Sequence, residues 1–300
     1  MSRVDHRHPR PRRRPGPRLR IALLLAPALL VVAVFVVGGV LQAVLQSLGF
    51  APVVGESEWS LDAYRRVVAD PSVRASLLLT ARVSLISTAA AAVLGTALAL
   101  LVRRLGGRRR LAALFHATLA VPHLVGALAI GLLLSPSGLV SRAAYTLGLV
   151  DSVQDVPALT QDAFGWGIIA EYTWKETPFV AVVALAALSR RVGDLEDVAS
   201  TLGASRWQRL REVTLPSLAP PVAAASVLVL AFVTASYEVP RLLGRPYPAT
   251  LSVEAFQRYR DIDLTSRPEA MALAVLIAAL TTLAALAYLR LVGGLTRRAL

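Results

Sequence analysis

Residues 168–179, IIAEYTWKETPF, set Glu171, Lys175 and Glu176 into an otherwise apolar run. Glu171 and Lys175 stand four apart with the acid first, the spacing at which a helix brings them together as an ion pair, and Glu176 is left over. Ionisable groups in such a run face a bundle interior or an aqueous cavity, because exposing one to lipid costs at least ~2.5 to 3.5 kcal/mol. The helix therefore either lines a solute path or carries a structural salt bridge to a neighbouring helix or a paired subunit. Trp174, in the same run, is a path residue or, like Trp166, an interfacial aromatic anchor. A second polar group, Thr234, Ser236, Tyr237, Glu238 and Pro240, closes a later apolar run, about 18 residues or ~27 Å from its start. Ser236, Tyr237 and Glu238 are path candidates there, and Tyr237 is equally an interfacial anchor.

The enzymatic reading of the same residues is acid–base chemistry by Glu171, Lys175, Glu176 and His123, and it lacks a nucleophile or a metal-ligand set. The chain has no cysteine. His6 and His8 lie in the N-terminal tail, and His116 and His123 have no Cys, Asp or Glu nearby, so no metal site is expected. There is no phosphate loop of the form Gly, four residues, Gly-Lys-Ser/Thr, so the chain itself is expected to bind no ATP and to need no cofactor. His123, beside Pro122, reads as a helix-packing or pathway residue.

Membrane helices must position these residues. At 55% hydrophobic, 17% charged and mean hydropathy +0.59, the chain is too apolar for a soluble domain, which averages about a quarter charged. Runs at 21–48, 76–102, 111–134, 166–188, 222–239 and 270–289 meet the ~20-residue criterion and predict an all-α polytopic protein with about six transmembrane helices. Arg82 lies near one end of the second run, where its side chain can snorkel to the interface. The Arg- and Pro-rich residues 1–20 predict a disordered cytoplasmic tail, and residues 21–300 a transmembrane domain. The run at 21–48 exceeds the ~7 to 15 residues of a signal-peptide core, so it is expected to stay as an uncleaved first helix.

The formal charge of +13 gathers in the tail and in short loops rather than along one face, which points to membrane orientation and away from nucleic acid. Arg103, Arg104, Arg108, Arg109 and Arg110 follow the second run, and Arg297 and Arg298 follow the last. The loops 49–73 and 135–165 are acidic instead, with Glu56, Glu58, Asp62, Asp70, Asp151, Asp155 and Asp162. By the positive-inside rule both termini are cytoplasmic, in a multi-pass protein of the cytoplasmic (inner) membrane.

Between the fourth and fifth runs lies a polar island at 194–216, DLEDVASTLGASRWQRLREVTLP. Leu195, Val198, Ala199 and Leu202 recur at i, i+3, i+4 and i+7 and form one apolar helix face, with Glu196, Asp197, Ser200 and Thr201 on the other. Asp194 is positioned to cap that helix, Gly203 to stop it, and Ser205 with Gln208 to form the capping box of a second one. Pro216, Pro220 and Pro221 then suit the early positions of a new helix.

This island resembles the cytoplasmic signature loop of binding-protein-dependent ABC importer permeases: Glu-Ala-Ala, three residues, Gly, nine residues, Ile, one residue, Leu-Pro. Asp197-Val198-Ala199, Gly203, Val213 and Leu215-Pro216 keep every spacing, with Asp197, Val198 and Val213 as conservative departures. YTWKETPF at 172–179 is similar to the Trp-x-x-x-Pro-Phe segment of such permeases, and residues 239–264 look like the outer loop between their last two helices. The likeness covers 76–291 as a permease core of the methionine-importer-like fold, with the first helix as an added anchor. Within the superfamily the chain looks most similar to the polyamine, ferric-iron and thiamine group, with sugar permeases further off.

The resemblance implies a transport subunit rather than an enzyme. Its partners would be a cytoplasmic ABC ATPase dimer that binds ATP and Mg, a second permease that is a copy or a paralogue, and an extracytoplasmic solute-binding protein. Residues 194–216 would be the coupling loop, with Asp197, Ala199, Gly203 and Ala204 at the ATPase contact. Leu195, Val198 and Leu202 would fill its groove, and Leu215 and Pro216 would close the motif. Glu171, Glu176 and Glu238 suggest a cationic solute such as spermidine or putrescine. Ferric iron, thiamine or sugar are the alternatives within this class, and an intramembrane enzyme or an ATPase-recruiting scaffold are those outside it.

Overall fold

The structure, a computed structural model, describes residues 17–50, 57–105, 117–152, 155–188 and 190–298. Among the described residues every regular element is helical. In chain order these are α1 (Pro17–Ser47), α2 (Asp62–Ala69), α3 (Pro71–Arg104), α4 (His123–Leu134), α5 (Leu139–Thr146), α6 (Trp166–Ala187), α7 (Arg190–Thr201) and α8 (Arg206–Arg209). After a π turn (Leu210–Thr214) come α9 (Leu215–Ala235), α10 (Glu238–Leu243), α11 (Leu251–Tyr259), a 3-10 turn (Leu264–Ser266) and α12 (Arg267–Arg298). Most of the expected tail, including Arg12, Arg13 and Arg14, lies outside the described residues, as do Arg108, Arg109 and Arg110.

Among the described residues five stretches are long and apolar enough to cross a membrane: Leu24–Ser47, Pro71–Arg104, His123–Thr146, Arg206–Ala235 and Leu264–Ala287. The sixth expected span, α6, has 22 residues and the length to cross, ~33 Å at ~1.5 Å per residue, but its three charges set it apart from these five. It is the centre of the bundle, packed against α3, α4 and α9. Its apolar residues Ile168, Tyr172 and Val180 meet Val83 and Ala91 of α3 and Val229 and Val233 of α9 in the main core. Gly95 lets α3 and α6 approach closely, since a Cβ there would stand 2.7 Å from Val180 Cβ and 2.8 Å from the Thr177 carbonyl. By contrast α1 lies at the edge, its apolar window unburied, packed on α12 and tied at its end by a 2.8 Å hydrogen bond between Ser47 and Tyr64.

Three expected boundaries change. The third run, expected as one helix over 111–134, is broken at Val121–Pro122 within the described residues: 117–120 are helical, Pro122 is extended, and α4 starts at His123. Proline cannot donate the hydrogen bond a continuing helix needs, and it forces the residue before it out of helical geometry. The fifth run, expected over 222–239, begins at Arg206 and ends at Ala235, because the π turn carries the helix into Pro216. Residues 239–264, expected as an outer loop, hold α10 from its second residue and all of α11, and their Val239, Leu243, Leu251 and Val253 are buried. These helices have 6 and 9 residues, too short to stand out as periodic runs.

At the α2 end of α3, Arg258 of α11 is held by Asp70, Glu254 and Glu269, and Arg66 adds a 2.6 Å bond to Glu269. This network ties α2, α3, α11 and α12 together. Burial acts to raise the Asp70 pKa, but the hydrogen bonds from Arg258 and Ser72 outweigh it and hold the carboxyl below its usual range.

Candidate functional site

The polar island forms the expected elbow. Gly203 has φ +84°, and the amides of Gly203 and Ala204 donate to the carbonyls of Ser200 and Ala199, each at 3.0 Å, which closes α7 with a left-handed cap. A Cβ at Gly203 would meet nothing within 4 Å, so the glycine serves backbone conformation rather than space. The Ser205–Gln208 capping box is present, with bonds of 2.8 and 3.3 Å. Asp194 does not cap α7, which starts at Arg190 and carries Asp194 inside it. The second helix of the elbow is a single α turn that runs on through the π turn into α9. A π turn just before Pro216 is the local solution to a residue that cannot bond to the preceding turn.

The two faces of α7 do different things. Leu195, Val198 and Leu202 are 48%, 57% and 83% exposed, and Trp207 on α8 adds to the uncovered apolar surface. Asp197 and Gly203 are exposed beside them, Ala199 and Ala204 are half-buried, and Leu215 and Pro216 are exposed where α9 begins. Glu196 turns the other way. Its carboxylate accepts hydrogen bonds of 3.0 and 2.8 Å from Arg103 at the end of α3, and another from the Thr214 hydroxyl. Sequence reasoning left Glu196 on the polar face without a partner; the arginines that end the second apolar run were the available signal.

The charges of α6 meet the broken third run rather than one another, Lys175 before the break and the two glutamates at His123. The expected Glu171–Lys175 pair is not formed: Lys175 Nζ donates to the carbonyls of Thr118 and Val121, at 2.8 and 2.6 Å. The break at Pro122 diverts the Val125 amide to the Pro122 carbonyl, so Val121 O is open to the lysine. His123, the first residue after the break, places Nδ1 3.2 Å from Glu171 Oε1 and Nε2 3.4 Å from Glu176 Oε1. It thus pairs with Glu171 in the place expected of Lys175 and also reaches Glu176, which the helical spacing left over. Glu171, Lys175 and Glu176 are 0%, 4% and 9% exposed.

Gly126 makes this meeting sterically feasible, because a Cβ there would lie 2.9 Å from Glu171 Oε1 and 3.1 Å from the Trp174 ring. Phe232 of α9 closes the cluster, 4.9 Å from the His123 ring and 6.3 Å from Tyr172. Trp174 is partly exposed, with Lys175 Nζ 5.9 Å from its ring centre. Ser236 and Tyr237 form the non-helical step between α9 and α10. The Ser236 carbonyl accepts from the Ser252 hydroxyl, Tyr237 packs on Phe256 at 4.6 Å, and Glu238 is exposed. Among the described residues no group of His, Cys, Asp and Glu suits a metal ion.

A polytopic helix bundle with an apolar-faced elbow projecting from between two of its central helices is the architecture of a membrane transport subunit. Residues 75–299 match the family described as "Binding-protein-dependent transport system inner membrane component", and the chain belongs to that family. It is 31% identical over 235 residues to the inner membrane ABC transporter permease protein YnjC of Escherichia coli (strain K12), covering 77% of this chain and 43% of YnjC. It is 40% identical over 72 residues to the trehalose transport system permease protein SugA of Mycobacterium tuberculosis (strain ATCC 25618 / H37Rv), 24% of this chain and 22% of SugA. The chain spans about half the length of the first curated relatives it matches, 43% and 54%. The fold is similar to that in a solved bacterial alginate ABC transporter in complex with an alginate pentasaccharide-bound periplasmic protein. That match has a TM-score of 0.71 at 22% identity, over 90% of this chain and 92% of the other.

Proposed function

We propose that the chain is the permease subunit of an ATP-driven importer, a transport subunit in which ATP and Mg are handled by a partner. The observation that carries this reading is the uncovered apolar face of Leu195, Val198 and Leu202 on an elbow locked from behind by Arg103 and Glu196. A large apolar patch on a polar segment needs a protein partner, and a cytoplasmic ABC ATPase dimer fits it. Asp197, Ala199, Gly203 and Ala204 edge the contact. A second permease, as a copy or a paralogue, completes the membrane unit, and an extracytoplasmic binding protein delivers the solute. In this reading α6 crosses as a sixth span, both termini are cytoplasmic, and nucleotide-driven closure of the ATPases moves the elbow and the helices attached to it.

The solute is small and polar. The cationic reading, with spermidine or putrescine as examples, rests on Glu171, Glu176 and Glu238. The first two are buried against His123, and only Glu238 is exposed. The carbohydrate alternative draws support from the trehalose and alginate systems named among the similar proteins, and we favour it over spermidine, ferric iron and thiamine. Glu171, Trp174, Lys175 and Glu176 then frame the bundle, while Ser236, Tyr237 and Glu238 face the solute path. Reconstitution in vesicles with the cognate ATPase and binding protein tests both levels. ATP-dependent uptake supports the importer, turnover without ATP an intramembrane enzyme, and ATPase recruitment without uptake a scaffold. Uptake of labelled spermidine but not of labelled trehalose would reverse the solute preference.

A further inference from the structure

Behind the elbow, on the side of α7 away from Leu195, Val198 and Leu202, lies a cavity of 840 Å³ between the end of α3 and the start of the Arg206–Ala235 helix. Its wall is of two kinds. Ala97, Leu100, Leu101 and Leu210 make one part apolar, and Arg103, Arg104, Arg206 and Arg209 make the other basic, with Glu196 as the acid on its lining. Glu196 is taken by Arg103 and Thr214, so it neutralises one arginine of the four. Arg104 and Arg206 are exposed at the rim, and the Arg209 Nε is buried without a hydrogen-bond partner. Two candidate membrane spans, Pro71–Arg104 and Arg206–Ala235, have their arginine-bearing ends at this level, the part of a span at which basic side chains reach lipid headgroups.

We propose that this cavity binds the phosphate headgroup of an anionic phospholipid. Guanidinium groups recognise phosphate oxygens through paired N–H donors. A soluble phosphate would use only the basic part of the wall, whereas a lipid uses both, with its headgroup on Arg104, Arg206 and Arg209 and the first carbons of its chains along Leu100, Leu101 and Leu210. The bound headgroup bridges α3 to α8 beside the Arg103–Glu196 pair and so holds the elbow against the bundle. The site stands on its own geometry and is independent of the importer assignment.

The test uses the purified full chain in nanodiscs of phosphatidylcholine doped with phosphatidylglycerol, with retained lipid counted by native mass spectrometry after transfer to detergent. Each arginine near an anionic surface changes affinity by roughly fivefold, so the R104Q/R209Q variant should retain phosphatidylglycerol about 25-fold less tightly. The R65Q/R211Q variant carries the same charge change at exposed positions outside the cavity and should retain lipid like the wild type, which separates site binding from net charge. Equal retention of phosphatidylcholine and phosphatidylglycerol, or equal losses in the two variants, overturns the proposal. Displacement of the lipid by millimolar inorganic phosphate overturns the lipid assignment in favour of a soluble anion.

Discussion

Arg103 grips Glu196 through two hydrogen bonds, at 3.0 and 2.8 Å, across 93 residues of chain. With Thr214 as the third donor, one carboxylate joins α3, α7 and the entry to α9. Both side chains are partly exposed, 31% and 20%, so solvent screens the pair. A double-mutant cycle with R103A and E196A should give a coupling energy of about 1 kcal/mol in thermal unfolding, and strictly additive losses would dismiss the link. The reconstituted E196A complex should also lose solute-stimulated ATP hydrolysis while inserting normally in the membrane.

Gly203 sits at φ +84° with open space around its Cα. The Cβ of G203L therefore meets nothing, and the variant carries the backbone penalty of a left-handed residue, about 1 to 2 kcal/mol. The elbow should relax to another angle, with coupled ATP hydrolysis abolished and membrane insertion intact. Normal coupled hydrolysis in G203L would refute the role given to this turn.

Lys175 caps the broken third run from within the bundle. K175M leaves the Thr118 and Val121 carbonyls without its ammonium and Glu176 with His123 as its basic neighbour in place of two. Leaving a buried acceptor without its charged donor costs about 1 to 3 kcal/mol. The variant should express poorly and melt early in detergent, and K175M/E176Q should recover part of the loss. If K175M melts like the wild type, the lysine does not hold the break together.

Glycines on different helices should respond differently. At Gly95 a new Cβ lands 2.7 Å from Val180 Cβ, whereas at Gly38 and Gly39 of α1 it meets nothing within 4 Å. G95A should destabilise the bundle by about 1 to 3 kcal/mol through overpacking, and G38A should be neutral or gain up to roughly 1 kcal/mol from helix propensity. Thermal unfolding of the two variants side by side checks the contrast.

The Asp70 carboxyl, with its pKa held below the ordinary value by Arg258 and Ser72, gives an acid-sensitive contribution. A lowered folded-state pKa means the stabilisation is complete above the unfolded value, ~3.9, and is lost as pH falls through the folded one. Melting temperature should thus hold on acidification to about pH 4 and drop below it. D70N should start lower and show a shallower drop. An identical acid limb in D70N would remove Asp70 from the account.

The elbow was legible in the sequence because its determinants are local. The spacing of Leu195, Val198 and Leu202, the stop at Gly203 and the Ser205–Gln208 box each act within one or two turns of chain. What stayed hidden depends on distant neighbours. Helical spacing pairs Glu171 with Lys175, yet the lysine goes to the Thr118 and Val121 carbonyls beside the break at Pro122, at separations of 57 and 54 residues. Glu196 likewise looks like a solvated acid until α3 brings Arg103 to it. The apolar runs were legible by length, and α6 differs from the five candidate spans because it keeps its charges in the bundle's interior.

The π turn at Leu210–Thr214 has a mechanical result. Because it widens the helix instead of ending it, Arg206 to Ala235 is one rod of 30 residues, ~45 Å long at ~1.5 Å per residue. Its near end starts just after the Gly203 turn, and its far end carries Phe232 against His123 and stops at the non-helical Ser236–Tyr237 step. A swing of about ten degrees about the near end carries Ala235 through about 8 Å on that length. A small tilt at the elbow is thus amplified along the rod into a displacement of several ångströms at the Ser236–Tyr237 step.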